Sequence, residues 1–478
     1  MNKYEAVIGL EVHAQLLTES KAFCGCKNKF GSQPNTNVCP ICLGHPGSLP
    51  SINKKMVEYS ILAGLALNCQ INSHSVFARK NYFYPDLPKG WQTSQYDKPI
   101  CSNGYIEIES GDSLKKIRIN RIHMEEDAGK LIHDADGSLI DLNRCGTPLI
   151  EIVTEPDLNS PREAHDYLSK LKQILLYLNI SDCNMEEGSL RCDANISIRK
   201  IGDKSLGTKT ELKNMNSFKN VEKALEKEIE RQIELIEDGE KVVQETLLWD
   251  AETNKIFSMR SKEEAHDYRY LPEPDLLPIY VDEAWKSNLK SKLPELPDKR
   301  KERFIKQFNL PEYDAKILTN EKSIADYFEL AANYTSDFKL LSNWIMVDVL
   351  KILNEKNISI ADFRLSANNL AKLINLIASG KISSKMAKDI FAEIAETNSE
   401  PEIIISERGF IQINDTNEIS NIISNVLSSN PQQVEQYLAG KEKVLGFFVG
   451  QIMRETKGKA NPKLVNDLLI KKLIEYKN

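Results

Sequence analysis

Proline punctuates this chain twice in quick succession, and the hydrophobic pattern changes period across the punctuation. YLPEPDLLPIYV begins at Tyr270 and KLPELPDKRKERF begins at Lys292. Proline has no backbone N–H and blocks helix continuation, so this density marks an irregular junction. Before it, residues 1 to about 215 read mainly as strands and turns with period-two alternation. From Ile8 to Leu16, the apolar Ile8, Leu10, Val12, Ala14 and Leu16 point one way, while Glu11, His13 and Gln15 point the other. From Leu190 to Arg199, Cys192, Ala194, Ile196 and Ile198 oppose Arg191, Asp193, Asn195, Ser197 and Arg199. Strands of this kind suit an antiparallel or mixed sheet with one face on the core. After the junction the pattern is almost wholly helical. A chain of 478 residues is also too long for one compact core. The fold class expected is α+β, a sheet domain followed by helical parts, with the main boundary near residue 293.

Helices interrupt the first part. In SPREAHDYLSKLKQILLYL, Ser160 suits an N-cap, Pro161 the first helical position, and Glu163 a capping box. Another helix is expected from about Phe218 to Ile236, with Val221, Leu225, Ile229 and Ile233 in one stripe. Beyond the junction, LAKLINLIASGKISSKMAKDIFAEI reads as helix, a Gly380 turn, and a helix capped by Ser383 or Ser384. A break around Asn398 to Ser406 separates the last helical module.

Four cysteines carry the most specific signal. Cys24-x-Cys26, twelve residues, then Cys39-Pro-Ile-Cys42 can close a tetrahedral shell of thiolates around Zn2+. The intervening KNKFGSQPNTNV has the Gly, Pro and Asn of a tight knuckle. Four cysteines leave no open coordination position, so the zinc is expected to be structural. A redox CxxC is the competing reading. The other five cysteines, Cys69, Cys101, Cys145, Cys183 and Cys192, are scattered and read as structural.

Acidic side chains and a histidine make the second signal. Glu11 and His13 share one strand face. IHMEEDAGK supplies Glu125 and Glu126, GTPLIEIVTEP supplies Glu151, and GTKTELKNMNSF supplies Glu211. Carboxylates with a histidine suit a hard divalent cation such as Mg2+, which bridges nucleotide phosphates. Glu125 and Glu126 face opposite sides of a regular strand, so both reach one site only at a bulge or strand end. FARKNYFYPDLPKGWQTSQY adds Arg79, Lys80 and Lys89, cations that suit phosphate or a substrate carboxylate.

Several functions lack their motifs. GDKSLGTKT displaces the lysine of a Walker loop, so ATP binding would need another cradle. There is no GxSxG elbow, no Gly-Gly-Ser-Ser run, and no Cys-His pair that stands out as a glutaminase. No apolar run approaches the ~20 residues of a spanning helix, and the N-terminal MNKYEAVIGLEV has neither a secretion nor an import pattern. A cytoplasmic location and no membrane partner are therefore expected. The net charge of -7 disfavours binding nucleic acid by overall electrostatics. From Lys441 onward, however, nine Lys or Arg stand against four Asp or Glu.

IGLEVHAQL, the CxC…CPICLGHPGSLP segment, RKNYFYPDLPKGWQTSQY, IHMEEDAGK, RCGTPLIEIVTEPD, MEEGSLRCDANISIR, TELKNMNSF and DYRYLPEPDLLP occur in that order. LGFFVGQIMRETKGKANPKLVNDLL follows near the end. Together they resemble the GatB family of tRNA-dependent amidotransferase components over essentially the whole chain. The resemblance implies a cradle domain (1–293) holding the zinc knuckle at 24–42, a helical domain (294–405), and a YqeY-like tail (406–478) that binds tRNA. It implies an amidase partner, GatA, which releases ammonia from glutamine, and a small partner, GatC. It implies ATP-dependent conversion of Glu on tRNA(Gln), or Asp on tRNA(Asn), to Gln or Asn through phosphorylation of the side-chain carboxylate.

Carried onto matching positions, the resemblance makes His13, Glu126 and Glu151 Mg2+ ligands. Glu11, Glu125 and Glu211 become a second cation or ammonia-entry cluster. Lys80, Lys89 and Arg191 would handle phosphates or aminoacyl groups, and Asp193 and Asn195 would position substrate. Lys457, Lys459 and Lys463 would meet tRNA phosphate. The competing reading is a zinc-stabilised, tRNA-binding scaffold without chemistry of its own, which leaves the acidic faces and His13 unexplained.

Overall fold

The alternating segments become neighbouring strands of one large sheet in the computed structural model, which describes residues 3–111, 113–134, 137–259, 268–408, 415–456 and 460–475. Strands in chain order are β1 (Tyr4–Gln15), β2 (Gln70–Ile71), β3 (His74–Ser75), β4 (Ala78–Asn81), β5 (Trp91–Ser94), β6 (Cys101–Ser110), β7 (Ser113–Glu126) and β8 (Lys130–Asp134). They continue with β9 (Gly137–Asp141), β10 (Pro148–Thr154), β11 (Leu190–Lys200), β12 (Thr210–Lys213), β13 (Thr246–Asp250), β14 (Lys255–Ser258), β15 (Leu271–Pro272) and β16 (Ile279–Tyr280). The main sheet runs β14-β13-β12-β11-β1-β10-β7-β6-β2. It is mixed, because β12 and β13 are parallel while β1 is antiparallel to both β10 and β11.

Burial follows the alternation. Ile8, Leu10, Val12 and Ala14 are buried with Ile150, Ile152, Ala194 and Ile196 in a core that also receives Leu168, Leu171, Val221 and Leu225. After α1 (Lys54–Ala66), those last four come from α2 (Pro161–Tyr177) and α3 (Phe218–Glu237). Each fully buried aliphatic side chain contributes about 1.5–3 kcal/mol. The opposite sheet face is thereby left for the polar residues. Ser160 accepts from the Glu163 N–H at 3.2 Å, as an N-cap should, whereas the Glu163 carboxylate reaches the N–H of Asn159, one residue before the cap, at 2.8 Å. Ser217 caps α3.

The chain forms two compact units, Met1–Pro297 and Asp298–Asn478. The second contains two apolar clusters, one from Phe304 to Ile404 and one from Ile419 to Leu473. Ser383, rather than Ser384, caps the helix Ser384–Thr397. The expected break from Asn398 to Ser406 is shorter, because Pro401 starts a new helix, Pro401–Arg408, that places Ile404 in the first cluster. Proline suits a first helical turn, where its missing N–H costs nothing. Among the described residues, no helix is long and apolar enough to cross a membrane.

Candidate functional site

Strand register assembles the site on the polar face. His13 lies opposite Glu151 on one side and Arg191 on the other, and Glu151 lies opposite His123. Directly paired residues of antiparallel strands project to the same side. Glu125, two residues past His123, shares that side as well. His13 Nε2 stands 3.2 Å from Glu151 Oε2 and 3.9 Å from Glu125 Oε2. His123 Nε2 stands 3.1 Å from Glu151 Oε2 and 3.2 Å from Glu125 Oε1. From the overlying β5, Ser94 donates to Glu125 Oε1 at 2.6 Å and Gln92 to Oε2 at 3.1 Å.

Burial opposes every charge here, yet the opposite charges win. It pulls the His13 imidazole down, but the hydrogen bond and charge of Glu151, with the charge of Glu125, leave it raised. His123 is likewise opposed by burial and ends raised to about 9 beside Glu151 and Glu125. Burial pushes both carboxyls up, and Glu151 repels Glu125, but His123 holds Glu125 below the ordinary range. His123 and His13 together hold Glu151 well below it. Lys80 is raised against its burial, chiefly by Glu125. One ligand atom from each of His13, Glu125 and Glu151 lies within 4.8 Å of the others. Two carboxylates and an imidazole in that space fit a hard divalent cation, which would compete with the imidazole protons.

This trio differs by one member from the set carried over by resemblance. Glu126 is the last residue of β7 and is not a member of the trio. It pairs with Lys89 and accepts from the Thr93 N–H at 2.9 Å. Glu125 leaves its expected cluster to join the trio. Glu11 and Glu211 remain on the polar face, apart from the trio. Asn195 donates to Glu11 at 2.9 Å, and Lys213 bridges Glu211, at 2.9 Å, to Asp193. Burial raises the Glu11 carboxyl, reinforced by Glu151 and Glu211. Arg191 donates to Asp127 Oδ2 at 3.0 Å, as does Gln15 at 2.9 Å.

The four knuckle sulfurs also lie within 4.8 Å of one another. A hydrogen bond with Cys24 lowers the Cys42 thiol to about 5 and pushes the Cys24 thiol up. The Cys39 N–H donates to Cys42 Sγ at 3.2 Å, and the buried Lys21 ammonium stands 3.7 Å from the same sulfur. A Zn2+ bound by four thiolates carries net negative charge, and a buried lysine and an N–H on the sulfur are the outer partners such a shell requires. The donor set therefore fits zinc. Gly44 closes the knuckle at φ 70°, where a Cβ would stand 2.6 Å from the Lys89 side chain.

The knuckle is tied to the polar face through a chain of hydrogen bonds. Asn35 donates to Asp141 at 3.0 Å and to the Ile140 carbonyl at 2.9 Å, and Asn143 receives the Asn37 N–H at 2.7 Å. Arg144 follows, donating to the Ala128 carbonyl at 3.0 Å and lying 3.7 Å from Asp127.

Comparison with known proteins agrees with this architecture. The model of the GatB/GatE catalytic domain matches residues 6–287, and that of the GatB domain matches residues 326–473. An aspartyl/glutamyl-tRNA(Asn/Gln) amidotransferase subunit of Thermodesulfovibrio yellowstonii is 57% identical over 474 residues, covering 99% of this chain and 100% of its own. The chain belongs to the GatB family. The corresponding amidotransferase subunits of Caldicellulosiruptor bescii and Carboxydothermus hydrogenoformans are 56% and 53% identical, over 98% and 99% of this chain and 99% of each relative.

In this GatB-family chain, sequence reasoning overlooked His123, Asp127, Ser94, Gln92 and Lys21. For His123 the signal was available: it stands two residues before Glu125, the spacing that joined Glu11 to His13. Ser94 and Gln92 come from a separate three-stranded sheet, β15-β4-β5, and no local spacing reveals what it covers. The GatB-family tail residues Lys457 and Lys459 lie outside the described residues, as does the side chain of Lys463.

Proposed function

We propose that this chain is the transamidating component of an aspartyl/glutamyl-tRNA(Asn/Gln) amidotransferase. It converts Glu-tRNA(Gln), Asp-tRNA(Asn) or both to the amides, with ATP as phosphoryl donor. The observation that carries this reading is the set of half-buried His13 with buried Glu125 and Glu151 beside Lys80. A carboxylate is a poor electrophile toward ammonia until a phosphoryl group turns one of its oxygens into a leaving group. The substrate carboxylate oxygen attacks the γ-phosphorus of ATP and ADP leaves. Ammonia then attacks the acyl carbon, phosphate departs with that oxygen, and the amide forms with loss of a proton.

His13, Glu125 and Glu151 would hold Mg2+. When bound, Mg2+ would neutralise phosphate charge and align the γ-phosphoryl group. Lys80 supplies a fixed positive charge next to the carboxylates. Arg191, oriented by Asp127, offers a second cation for phosphate or for the aminoacyl group. Asp193 and Asn195 line the same strand face and position the substrate. Glu11 and Glu211 form the neighbouring acidic cluster where a second cation or incoming ammonia is received. Lys89, neutralised by Glu126, holds the knuckle side of the site rather than substrate.

Zn2+ on Cys24, Cys26, Cys39 and Cys42 would be structural. A glutaminase partner of the GatA type supplies ammonia, and a small GatC-type protein completes the heterotrimer. The helical domain (294–405) and the tail (406–478) hold tRNA, and the protein works in the cytoplasm. The test mixes the chain with GatA and GatC partners, glutamine, ATP, Mg2+ and each misacylated tRNA. Amide on at least one tRNA is expected. No amide on either, in an assembly that still hydrolyses glutamine, overturns the proposal.

A further inference from the structure

A continuous path of aromatic rings leads from the carboxylate cluster to the exposed rim. It begins at Gln92, which donates to Glu125 and receives the Tyr82 hydroxyl at 3.4 Å. The Tyr82 ring lies 6.0 Å from Tyr268, and Tyr268 lies 6.1 Å from Tyr270. Tyr270 then stacks on Tyr96 at 4.2 Å, with only 10° between the planes. Lys80 Nζ stands over the Tyr268 ring at 4.8 Å, so a cation lies alongside the path. Tyr96 is 58% exposed although one of its faces is covered by Tyr270.

Burial sorts the two ends of this path by task. The inner end meets Glu125, which is 2% exposed, where a small reacting group can be desolvated. The outer end is open to solvent, where a flat group can stack while the rest of its molecule stays outside. Nucleobases present such a face, and stacking on an aromatic side chain is worth ~1–3 kcal/mol per base. The flanking Lys80 favours a base attached to phosphate.

We propose that Tyr96 and Tyr270 form the stacking platform for the 3′-terminal adenine of the aminoacylated tRNA. This rests on the transamidation reading. The terminal ribose carries the amino-acid ester, so its base must lie a short reach from a side-chain carboxylate seated at the cluster. A tRNA also has to leave through an open rim. The adenine of ATP is the other base that comes near, and the test separates the two.

The experiment uses the reconstituted heterotrimer. Deacylated tRNA carrying 2-aminopurine as its terminal base reports stacking by fluorescence quenching. Quenching by the wild-type complex is expected, with loss of most of it in Tyr96→Ala and retention in Tyr96→Phe. In amidation assays, Tyr96→Ala should raise KM for the misacylated tRNA about tenfold. Its kcat should stay within about twofold and its KM for ATP should be unchanged, since no charge at the cluster is altered. An unchanged tRNA KM with full quenching in Tyr96→Ala overturns the platform. A raised KM for ATP with an unchanged tRNA KM overturns it too, reassigning the rings to the nucleotide. A wild-type complex that makes no amide rejects the transamidation reading instead, while the fluorescence still decides whether the terminal base docks here.

Discussion

Arg191 donates to Asp127 Oδ2 at 3.0 Å, joining the strand that borders His13 to the segment that runs back toward the zinc knuckle. Asp127 is 4% exposed and also receives Gln15, so its charge is committed to orientation rather than to substrate. Hydrogen bonds to charged groups contribute ~1.5–3 kcal/mol each, and a charge-assisted pair fixes direction as well as distance. Asp127→Asn should therefore lower amidation kcat/KM about tenfold to a hundredfold. Glutamine hydrolysis by the partner should persist. Steady-state kinetics on both reactions checks this, and equal losses in both would point to a folding defect.

Adjacent glutamates should fail differently. Glu125→Gln removes a negative ligand from the trio, and the Mg2+ concentration giving half-maximal amidation should rise at least about tenfold. Glu126→Gln leaves the half-buried Lys89 ammonium with Thr93 but without its counter-charge, which destabilises the fold. Its main effect should be a lower Tm, with little change in Mg2+ requirement. Thermal unfolding together with Mg2+ titration separates the two, and the reverse pattern would exchange their assignments.

Zinc removal tests the knuckle. Metal analysis should find about one Zn2+ per chain, because four thiolates saturate one tetrahedral ion. Chelation should lower Tm and, through Asn35, Asn143 and Arg144, disturb Asp127 and reduce amidation. Amidation unchanged after complete zinc loss would detach the knuckle from the polar face.

Acid should expose one helix cap. Burial pushes the Glu163 carboxyl up, but Lys115, the Asn159 N–H and Ser110 bring it below the ordinary value. Its folded pKa is thus lower than its unfolded pKa of ~4.3, so its contribution to stability is present above ~4.3 and is lost as pH falls through the folded value. Glu163→Gln should lower Tm at pH 7, and the gap from wild type should shrink below about pH 4. A gap that is constant with pH would assign the effect to shape alone.

Local periodicity made much of this legible. The alternation of Ile8 to Leu16 separates the buried Leu10 and Val12 from His13, and the paired hooks of the knuckle are short-range in sequence. Distinguishing Glu125 from Glu126 required knowing where β7 ends and that β5 lies over it. Ser94 is 31 residues from the carboxylate it contacts, and Tyr270 stacks on a ring far earlier in the chain. Such contacts depend on the register between sheets, which no single segment encodes. The resemblance sets His13 and Glu151 beside Glu126, whereas the structure groups them with Glu125.

The central claim is that the substrate carboxylate is phosphorylated before ammonia arrives. Misacylated tRNA carrying 18O in its side-chain carboxylate, turned over by the reconstituted complex with unlabelled ATP, tests this directly. Mass spectrometry of the released phosphate should find one 18O for each amide formed, because the attacking oxygen leaves with phosphorus. Amide formation with wholly unlabelled phosphate would contradict the account.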